Sequence, residues 1–336
     1  YRSTPWGPRF DYTRTQVADF IVDNIAAWRR EYRIDGFRWD SVSNIRALDG
    51  TGSVPGGIAL LRRANAQAQR TPGALLIAED LKGYGGVTER SDSGGLGFDT
   101  QWDAGFHWAV TSAVSGSDDR ARNLASVRDA LGGRYNGDPF QRVIYSESHD
   151  TVGNTGTRLP SQIDPSDPGS WAARKRSLLA AAILLTAPGV PMLFAGQEIL
   201  SVGRFTDMPA PLDWTRETGH ARILDFYRDL IALRRNRAGT TPGLTGSELN
   251  VYHQNDGAKV IAYRRSSGAD TDVIVLANFG SQNYTRYDIG LPAAGTWKVR
   301  LNSDDKRYST DFGGAPASDI TATATASSFS SVFAQH

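Results

Sequence analysis

The sequence contains no cysteine, two methionines and five histidines among its 336 residues. Without cysteine the chain can form no disulfide and offers no thiolate as a nucleophile or metal ligand, and secretion is neither supported nor excluded. Long apolar runs are also missing. The stretch SLLAAAILLTA at 177–187 is too short to cross a bilayer and predicts a buried helix. We therefore expect no membrane contact, and the compartment stays open between secreted and cytoplasmic.

An excess of charge of either sign is lacking too. The chain has 37 Lys and Arg residues against 36 Asp and Glu residues. This near balance gives no indication of a nucleic acid partner. Its 40% hydrophobic and 22% charged content is that of a soluble globular protein, and its length allows one large domain with a smaller one.

Strand-like and helix-like patterns alternate from residue 16 to residue 237. The apolar runs predict strands at 33–40, 74–79, 98–102, 142–148 and 190–196. Repeated β-α units predict a parallel sheet covered by helices. A doubly wound sheet would need a glycine-rich phosphate turn, and no GxGxxG follows any of these strands. We predict the last five β-α units, strands 4–8, of a (β/α)8 TIM barrel.

The pattern changes near residue 238, where short strands separated by Gly, Asn, Asp and Pro turns predict an antiparallel sandwich. We therefore predict two domains, a partial catalytic barrel at 1–237 and a β-sandwich at 238–336. Five units cannot close a barrel and would expose a sheet edge. Because the chain starts with Tyr1 and not Met, we expect an upstream segment, separate or cleaved, to supply strands 1–3.

Acidic residues follow three of the predicted strands. Asp40 follows the first, Glu79 and Asp80 the second, and His149 with Asp150 the fourth. The separations in sequence are those of one and of two β-α units. In a (β/α)8 barrel the C-terminal strand ends form the active site. These three strand ends would therefore deliver carboxylates to one rim.

Arg38 and Asp40 lie two positions apart on a strand, so both point to the same face. One interpretation is a structural ion pair that neutralises itself. The other is a working carboxylate that its arginine keeps ionised. The additional acids at later strand ends favour the second interpretation.

Two carboxylic acids with an arginine and a histidine suit retaining glycoside hydrolysis. Asp40 would be the nucleophile, and Glu79, after the apolar run LLIA, the acid whose pKa partial burial raises. Asp150 would stabilise the transition state, with His149 donating a hydrogen bond to a sugar hydroxyl. A divalent metal among these acids is the alternative, but Arg38 within the cluster argues against it. Trp102, at a strand end, either stacks on a sugar or fills the rim.

Four segments in this order resemble the conserved regions of the α-amylase superfamily, glycoside hydrolase family thirteen: GFRWD, LLIAED, YSESHD and PGVPMLFAGQE. The C-terminal strands look like that family's domain C. The resemblance implies Asp40 as nucleophile, Glu79 as general acid/base and Asp150 as transition-state stabiliser. It also implies that Arg38 and His149 touch the substrate or these acids.

Further segments look like the branching-enzyme and trehalohydrolase neighbourhood of the superfamily: WGPRFDY, GFDTQWDAGFH and APLDW. Thr151 stands where glycogen-branching enzymes usually carry glutamate. We expect hydrolysis of α-1,4 bonds in starch, glycogen or maltooligosaccharides. The alternatives are a branching transglycosylase, a trehalohydrolase, or a non-catalytic carbohydrate-binding half-barrel.

The superfamily's first conserved region, an Asp and an Asn-His pair, is missing from the sequence. The superfamily's common calcium site draws on that region, so any Ca²⁺ would bind through the upstream part. We therefore predict no metal ligand among these residues and no cofactor that they require.

Overall fold

A computed structural model describes residues 3–4, 7–48, 52–154, 156–206, 211–313, 318–323 and 334–335. Parts of WGPRFDY and APLDW, namely Trp6 and Ala210, lie outside these ranges. The helices are α1 Thr15–Glu31, α2 Val42–Arg46, α3 Pro55–Gln69, α4 Ala104–Ser115, α5 Leu124–Gly132, α6 His149–Gly153, α7 Leu159–Ile163, α8 Trp171–Thr186, α9 Thr215–Gly219 and α10 Ala221–Arg234. The strands are β1 Ser3–Thr4, β2 Gly7–Pro8, β3 Gly36–Trp39, β4 Ala47–Leu48, β5 Gly52–Ser53, β6 Leu75–Ala78, β7 Thr100–Trp102, β8 Arg142–Tyr145, β9 Val190–Met192, β10 Glu248–Asn255, β11 Val260–Ser266, β12 Val273–Asn278, β13 Gly290–Leu291, β14 Gly295–Trp297, β15 Ile320–Ala322 and β16 Ala334–Gln335.

The chain divides into two compact units. The first comprises Tyr1–Ala104 and Arg134–Ile144, and the second comprises Gly105–Gly133 and Tyr145–His336. The predicted division at residues 237 and 238 stays a prediction from the sequence. None of the helices in the described ranges is long and apolar enough to span a bilayer.

The first unit is built on parallel strands. β3 pairs with β6, β6 with β7, and β7 with β8, each in parallel register. Because parallel strands end at the same edge, the residues that follow β3 and β6 come together there. The two strands approach so closely that a Cβ at Gly36 would overlap the carbonyl oxygen of Leu75. This explains why β3 begins with glycine.

Helices α1 and α3 pack on this sheet through their apolar faces. Their buried residues, such as Val22, Leu61 and Ala64, join Leu76 of β6 in one hydrophobic cluster. Trp39 packs against the same cluster, and its ring meets Phe98 edge-on at 6.5 Å. The core thus fixes the direction of β3 just before Asp40.

The second unit contains helices and the antiparallel strands of the C-terminal region. β11 pairs with β10 on one side and β12 on the other, with a bulge between Val251 and His253. β13 pairs with β16 and β14 with β15, also antiparallel. The prediction of an antiparallel, all-β C-terminal region is confirmed.

Contacts within this unit join the antiparallel sheet to α8. The guanidinium of Arg265 is fully buried and donates to the carbonyl oxygens of Thr186, Leu244 and Gly246. The hydroxyls of Tyr263 and Thr186 lie 2.5 Å apart. Burial lowers the pKa of Arg265 to about 10, so it remains charged at neutral pH. The last residue of α8 is therefore bonded by two side chains of β11.

The five predicted strands of the α/β region are all present, as β3 and β6–β9, although each is shorter than predicted. All four residues of β3 are only half-buried. β3 pairs with β6 along one edge, and no strand pairs with its other edge among the described residues. The closure of these units into an eight-stranded barrel stays a prediction.

Candidate active site

The ends of β3 and β6 are tied together by main-chain hydrogen bonds. Glu79 N–H donates to the carbonyl of Trp39 at 2.9 Å, and Val42 N–H donates to the carbonyl of Glu79 at 2.8 Å. Between them, Ser41 adopts a left-handed conformation with φ of 49° and leads into α2. This turn places Asp40 directly opposite the end of β6.

Arg38 bridges the two carboxylates. Its Nη1 lies 2.5 Å from Asp40 Oδ1, and its Nη2 lies 3.1 Å from Glu79 Oε2. The backbone N–H of Ser41 donates to the same Glu79 oxygen at 2.6 Å. Arg38 of β3 and Asp40, the residue after β3, thus form an ion pair. The pair extends to Glu79, so the two acids lie one guanidinium apart.

The two carboxylates differ in exposure. The side chain of Asp40 is 76% exposed, whereas that of Glu79 is 11% exposed. Asp40 therefore offers an accessible oxygen to a ligand. Glu79 is enclosed, and a backbone donor and a guanidinium hold its orientation.

Trp102 lies beneath this cluster. Trp102 is only 6% exposed, and the guanidinium carbon of Arg38 lies 4.6 Å from the centroid of its ring. This is the geometry of a cation–π contact. The structure therefore shows Trp102 in a packing role, supporting Arg38 from below. Stacking of Trp102 on a sugar stays a prediction.

His149 and Asp150 open α6 in the second unit. Ser148 caps this helix by accepting from Thr151 N–H, and the Thr151 hydroxyl accepts from Ser148 N–H. Thr151, where the sequence departs from the branching-enzyme pattern, thus closes a capping box. His149 Nε2 lies 3.4 Å from Asp150 Oδ2, and both side chains are more than one-third exposed. Their outer atoms are open to a ligand.

The structure therefore groups the predicted residues in two sets. Arg38, Asp40, Glu79 and Trp102 meet in the first unit, and His149 and Asp150 are neighbours in the second. No three acidic, histidine or cysteine side chains of the described residues are placed to hold a metal ion.

Two buried ion pairs next to the predicted acids were missed by the sequence analysis. Asp80, which follows Glu79, is fully buried and paired with Arg46. Glu147 is also buried and lies 3.0 Å from Arg158 Nη1. Each pair joins residues on different loops. The sequence feature that could have indicated the Glu147 pair is an acidic residue in a strand-like apolar segment, as in RVIYSES.

The Glu147 pair fixes the loop after α6. One Glu147 oxygen accepts from Leu159 N–H, while Arg158 Nη2 donates to the carbonyl of Ala195 at 2.7 Å. The guanidinium also stacks on Phe194 at 4.0 Å. Burial raises the pKa of Glu147, and the charge of Arg158 opposes this rise. The pair is thus a structural support for the loop that follows α6, the helix that begins with His149.

Comparison with protein families gives one matching model. Residues 251–332 match "Alpha amylase, C-terminal all-beta domain". This range contains the three-stranded sheet of β10, β11 and β12 except for the first residues of β10.

Curated relatives match almost the whole chain. A 1,4-alpha-glucan branching enzyme GlgB of Leifsonia xyli is 30% identical over 322 residues, which cover 89% of this chain and 42% of that enzyme. The enzyme of the same name from Deinococcus radiodurans is 31% identical over 318 residues, 89% of this chain and 44% of that enzyme. The chain thus spans less than half the length of these relatives.

Solved structures share the fold. A pullulanase from Paenibacillus barengoltzii is 25% identical with a TM-score of 0.64, covering 87% of this chain and 47% of that one. An α-amylase from Geobacillus thermoleovorans, complexed with acarbose, is 20% identical with a TM-score of 0.63, covering 83% and 56%. The ordered motifs, the C-terminal all-beta match and these relatives agree. The chain is similar to proteins of the α-amylase superfamily over most of its length.

Proposed function

We propose that this chain carries the catalytic carboxylates of a retaining α-glucan hydrolase that cleaves α-1,4 bonds. The observation that carries the proposal is the Arg38 bridge between Asp40 and Glu79. Retaining glycosidases need two carboxyl groups about 5–5.5 Å apart, close enough for direct attack and without room for a water between them. Two carboxylates on one guanidinium fit that requirement.

The proposed roles follow from the exposure of each acid. Asp40, which is open to solvent, attacks the anomeric carbon and forms a glycosyl ester while the glycosidic C–O bond breaks. Glu79 gives its proton to the departing sugar oxygen. Glu79 then takes a proton from water, whose oxygen attacks the anomeric carbon and releases Asp40 as a carboxylate. Arg38 pairs with Asp40 and holds its carboxylate in place for the first step.

Asp150 and His149 are proposed to bind sugar hydroxyls. Both have exposed outer atoms at the start of α6, and the capping box holds that helix end in place. A carboxylate that accepts hydrogen bonds from hydroxyls would also favour the positively charged transition state. The proposed steps use side chains and water alone, and none of them requires a cofactor.

The test is product analysis with the native full-length protein on amylose and maltopentaose. Hydrolysis releases new reducing ends. Asp40→Asn should lower kcat by at least about 1,000-fold, because loss of the nucleophile removes the covalent route. Asp92→Asn, at an exposed ion pair of the same unit, is the matched control and should keep full activity. Full activity of Asp40→Asn would refute the assignment.

Transfer to a sugar hydroxyl is the second candidate, because both sequence relatives described above are named as branching enzymes. The same glycosyl ester would then be attacked by a sugar 6-hydroxyl and not by water. Branch points without new reducing ends would support this outcome. Neither product, with the sugar still bound, would support a non-catalytic binding protein.

We also propose that further β-α units, on an upstream segment or a separate chain, cover one side of the first unit. β3 leaves one edge without a strand among the described residues, and α1 together with the residue after it exposes an aromatic stripe at i, i+8 and i+12. Phe20, Trp28 and Tyr32 of this stripe are 72%, 43% and 65% exposed. Open edges and contiguous apolar patches mark contact surfaces. A lone, folded 36.5 kDa monomer in native mass spectrometry would contradict this proposal.

A further inference from the structure

A second ion pair joins the loops that follow β3 and β6. Arg46 Nε lies 2.5 Å from Asp80 Oδ2, and Arg46 Nη2 lies 3.0 Å from Asp80 Oδ1. The Asp80 side chain is fully buried and that of Arg46 is 13% exposed. Two parallel, charge-assisted bonds in a buried place fix relative orientation as well as distance.

The position of this pair in the chain is its important property. Asp80 is the residue after Glu79, and Arg46 is the last residue of α2, which begins two residues after Asp40. The first end of α2 is already tied to Glu79, through the N–H groups of Ser41 and Val42. Arg46 ties the other end to Asp80. With both ends attached, α2 cannot rotate about its contact with Glu79.

Two further contacts support the pair. Lys82 N–H donates to Asp80 Oδ1 at 3.2 Å, and the Tyr84 ring lies 4.6 Å from the guanidinium carbon of Arg46. Gly86 leaves room for this ring, since a Cβ there would lie 2.5 Å from Tyr84 Cε1. The loop after Glu79 therefore folds back so that its own aromatic ring covers the arginine.

We propose that Arg46, Asp80 and Tyr84 are positioning residues that aim the Glu79 carboxyl at the leaving-group oxygen. The inference rests on the proposed function, because it assigns Glu79 the role of proton donor. None of the three residues has to touch the substrate. They act by holding α2, because the residue that precedes this helix, Ser41, donates its N–H to the Glu79 carboxylate.

The alternative is that the pair only stabilises the fold, and leaving-group chemistry separates the two. Maltopentaose needs a proton on its departing oxygen, whereas the fluoride of α-maltosyl fluoride leaves without one. The value of kcat/KM reports steps up to formation of the glycosyl enzyme. A misplaced Glu79 therefore lowers kcat/KM for maltopentaose alone, whereas partial unfolding lowers both values equally.

The experiment uses the native full-length protein and both substrates. Asp80→Asn and Arg46→Gln should each lower kcat/KM for maltopentaose about 10- to 100-fold, as expected for a misaimed acid. The value for α-maltosyl fluoride should change by less than about threefold. The double variant should lose no more than either single variant, because one interaction is removed. Arg46→Lys keeps the charge without the bidentate geometry. Its kcat/KM for maltopentaose should therefore lie between those of the wild type and of Arg46→Gln.

The control is Asp92→Asn. Arg90 and Asp92 form a pair with the same bidentate geometry, with distances of 3.0 and 2.5 Å, but on the surface. This variant should leave both kcat/KM values unchanged. Tyr84→Leu keeps both buried charges, so it carries the test if Asp80→Asn does not fold. Tyr84→Leu should lower the ratio of kcat/KM for maltopentaose to kcat/KM for α-maltosyl fluoride by about threefold or more.

The inference is overturned if the ratio of kcat/KM for maltopentaose to kcat/KM for α-maltosyl fluoride is unchanged in the folded variants. This includes the case in which both kcat/KM values fall equally. The proposed function would fail in a different way. It fails if the wild type turns over neither substrate or if Asp40→Asn keeps both activities. Loss of both activities in Asp40→Asn, with an unchanged ratio in Asp80→Asn, would refute the positioning role alone.

Discussion

Replacing Gly57 by alanine tests how closely α3 packs on α2. Gly57 is the third residue of α3 and is buried. A Cβ there would overlap the carbonyl oxygen of Ile45, and would lie 2.9 Å from the carbonyl carbon and 3.2 Å from Cγ2 of that residue. Two of these atoms belong to the backbone of α2. They can make room only if the two helices separate.

Gly56 provides an internal reference for the size of the effect. Alanine stabilises a helix by up to about 1 kcal/mol relative to glycine, and this stabilisation is similar at neighbouring positions. A Cβ at Gly56 would meet Thr13 and Tyr12 at 3.3 Å, a tight but tolerable contact. Overpacking against a rigid neighbour costs about 1–3 kcal/mol. We therefore expect Gly57→Ala to be about 2 kcal/mol less stable than Gly56→Ala.

Thermal unfolding of the two variants measures this difference. About 2 kcal/mol corresponds to about 4–8 °C in Tm for a domain of 150–250 residues. Ser41 precedes α2 and Arg46 ends it, so displacement of α2 should move both. Gly57→Ala should therefore also lower the ratio of kcat/KM for maltopentaose to kcat/KM for α-maltosyl fluoride, and Gly56→Ala should not. Equal Tm values for the two variants would refute the packing argument. So would a Gly57→Ala protein more stable than the wild type.

Two further predictions concern Glu147 and Arg158. Arg158→Met should lower the free energy of unfolding by about 3–5 kcal/mol, because it leaves a buried carboxylate unpaired; calorimetry showing less than 1 kcal/mol would contradict this. Burial raises the pKa of Glu147 above its ordinary value of 4.5, so above that pH the folded state binds more protons than the unfolded state. Stability should therefore fall as pH rises from about 4.5 through the folded-state pKa. Glu147→Gln should remove this fall, and parallel Tm profiles from pH 4.5 to 8 would contradict it.

Much of the site in the first unit followed from local rules. The alternation of side chains along a strand places Arg38 and Asp40 on one face, and the structure pairs them. Parallel strands end at one edge, which brings Glu79 to the same guanidinium. Both rules depend on neighbouring residues and strand ends alone. A single sequence therefore contains enough information to apply them.

The supporting contacts could not be predicted in this way. Arg46 and Asp80 belong to different β-α units, and one sequence does not show which arginine meets which acid. Glu147 and Arg158 lie in one β-α unit, but the sequence does not show that this arginine meets this acid. Trp102 was predicted as a platform for sugar or a filler of the rim. Its burial beneath Arg38 depends on the register of β7 against β6, which hydrophobicity does not encode.

The bonds from Arg265 and Tyr263 to Thr186 limit the modularity of the C-terminal strands. A family model recognises residues 251–332 by themselves, which suggests a cassette that engineering could remove or exchange. Removal would take β11 away and leave the carbonyl and the hydroxyl of Thr186, the last residue of α8, without their donors. The final turn of α8 would then fray. A shortened or chimeric protein must therefore carry α8 and β11 from the same parent.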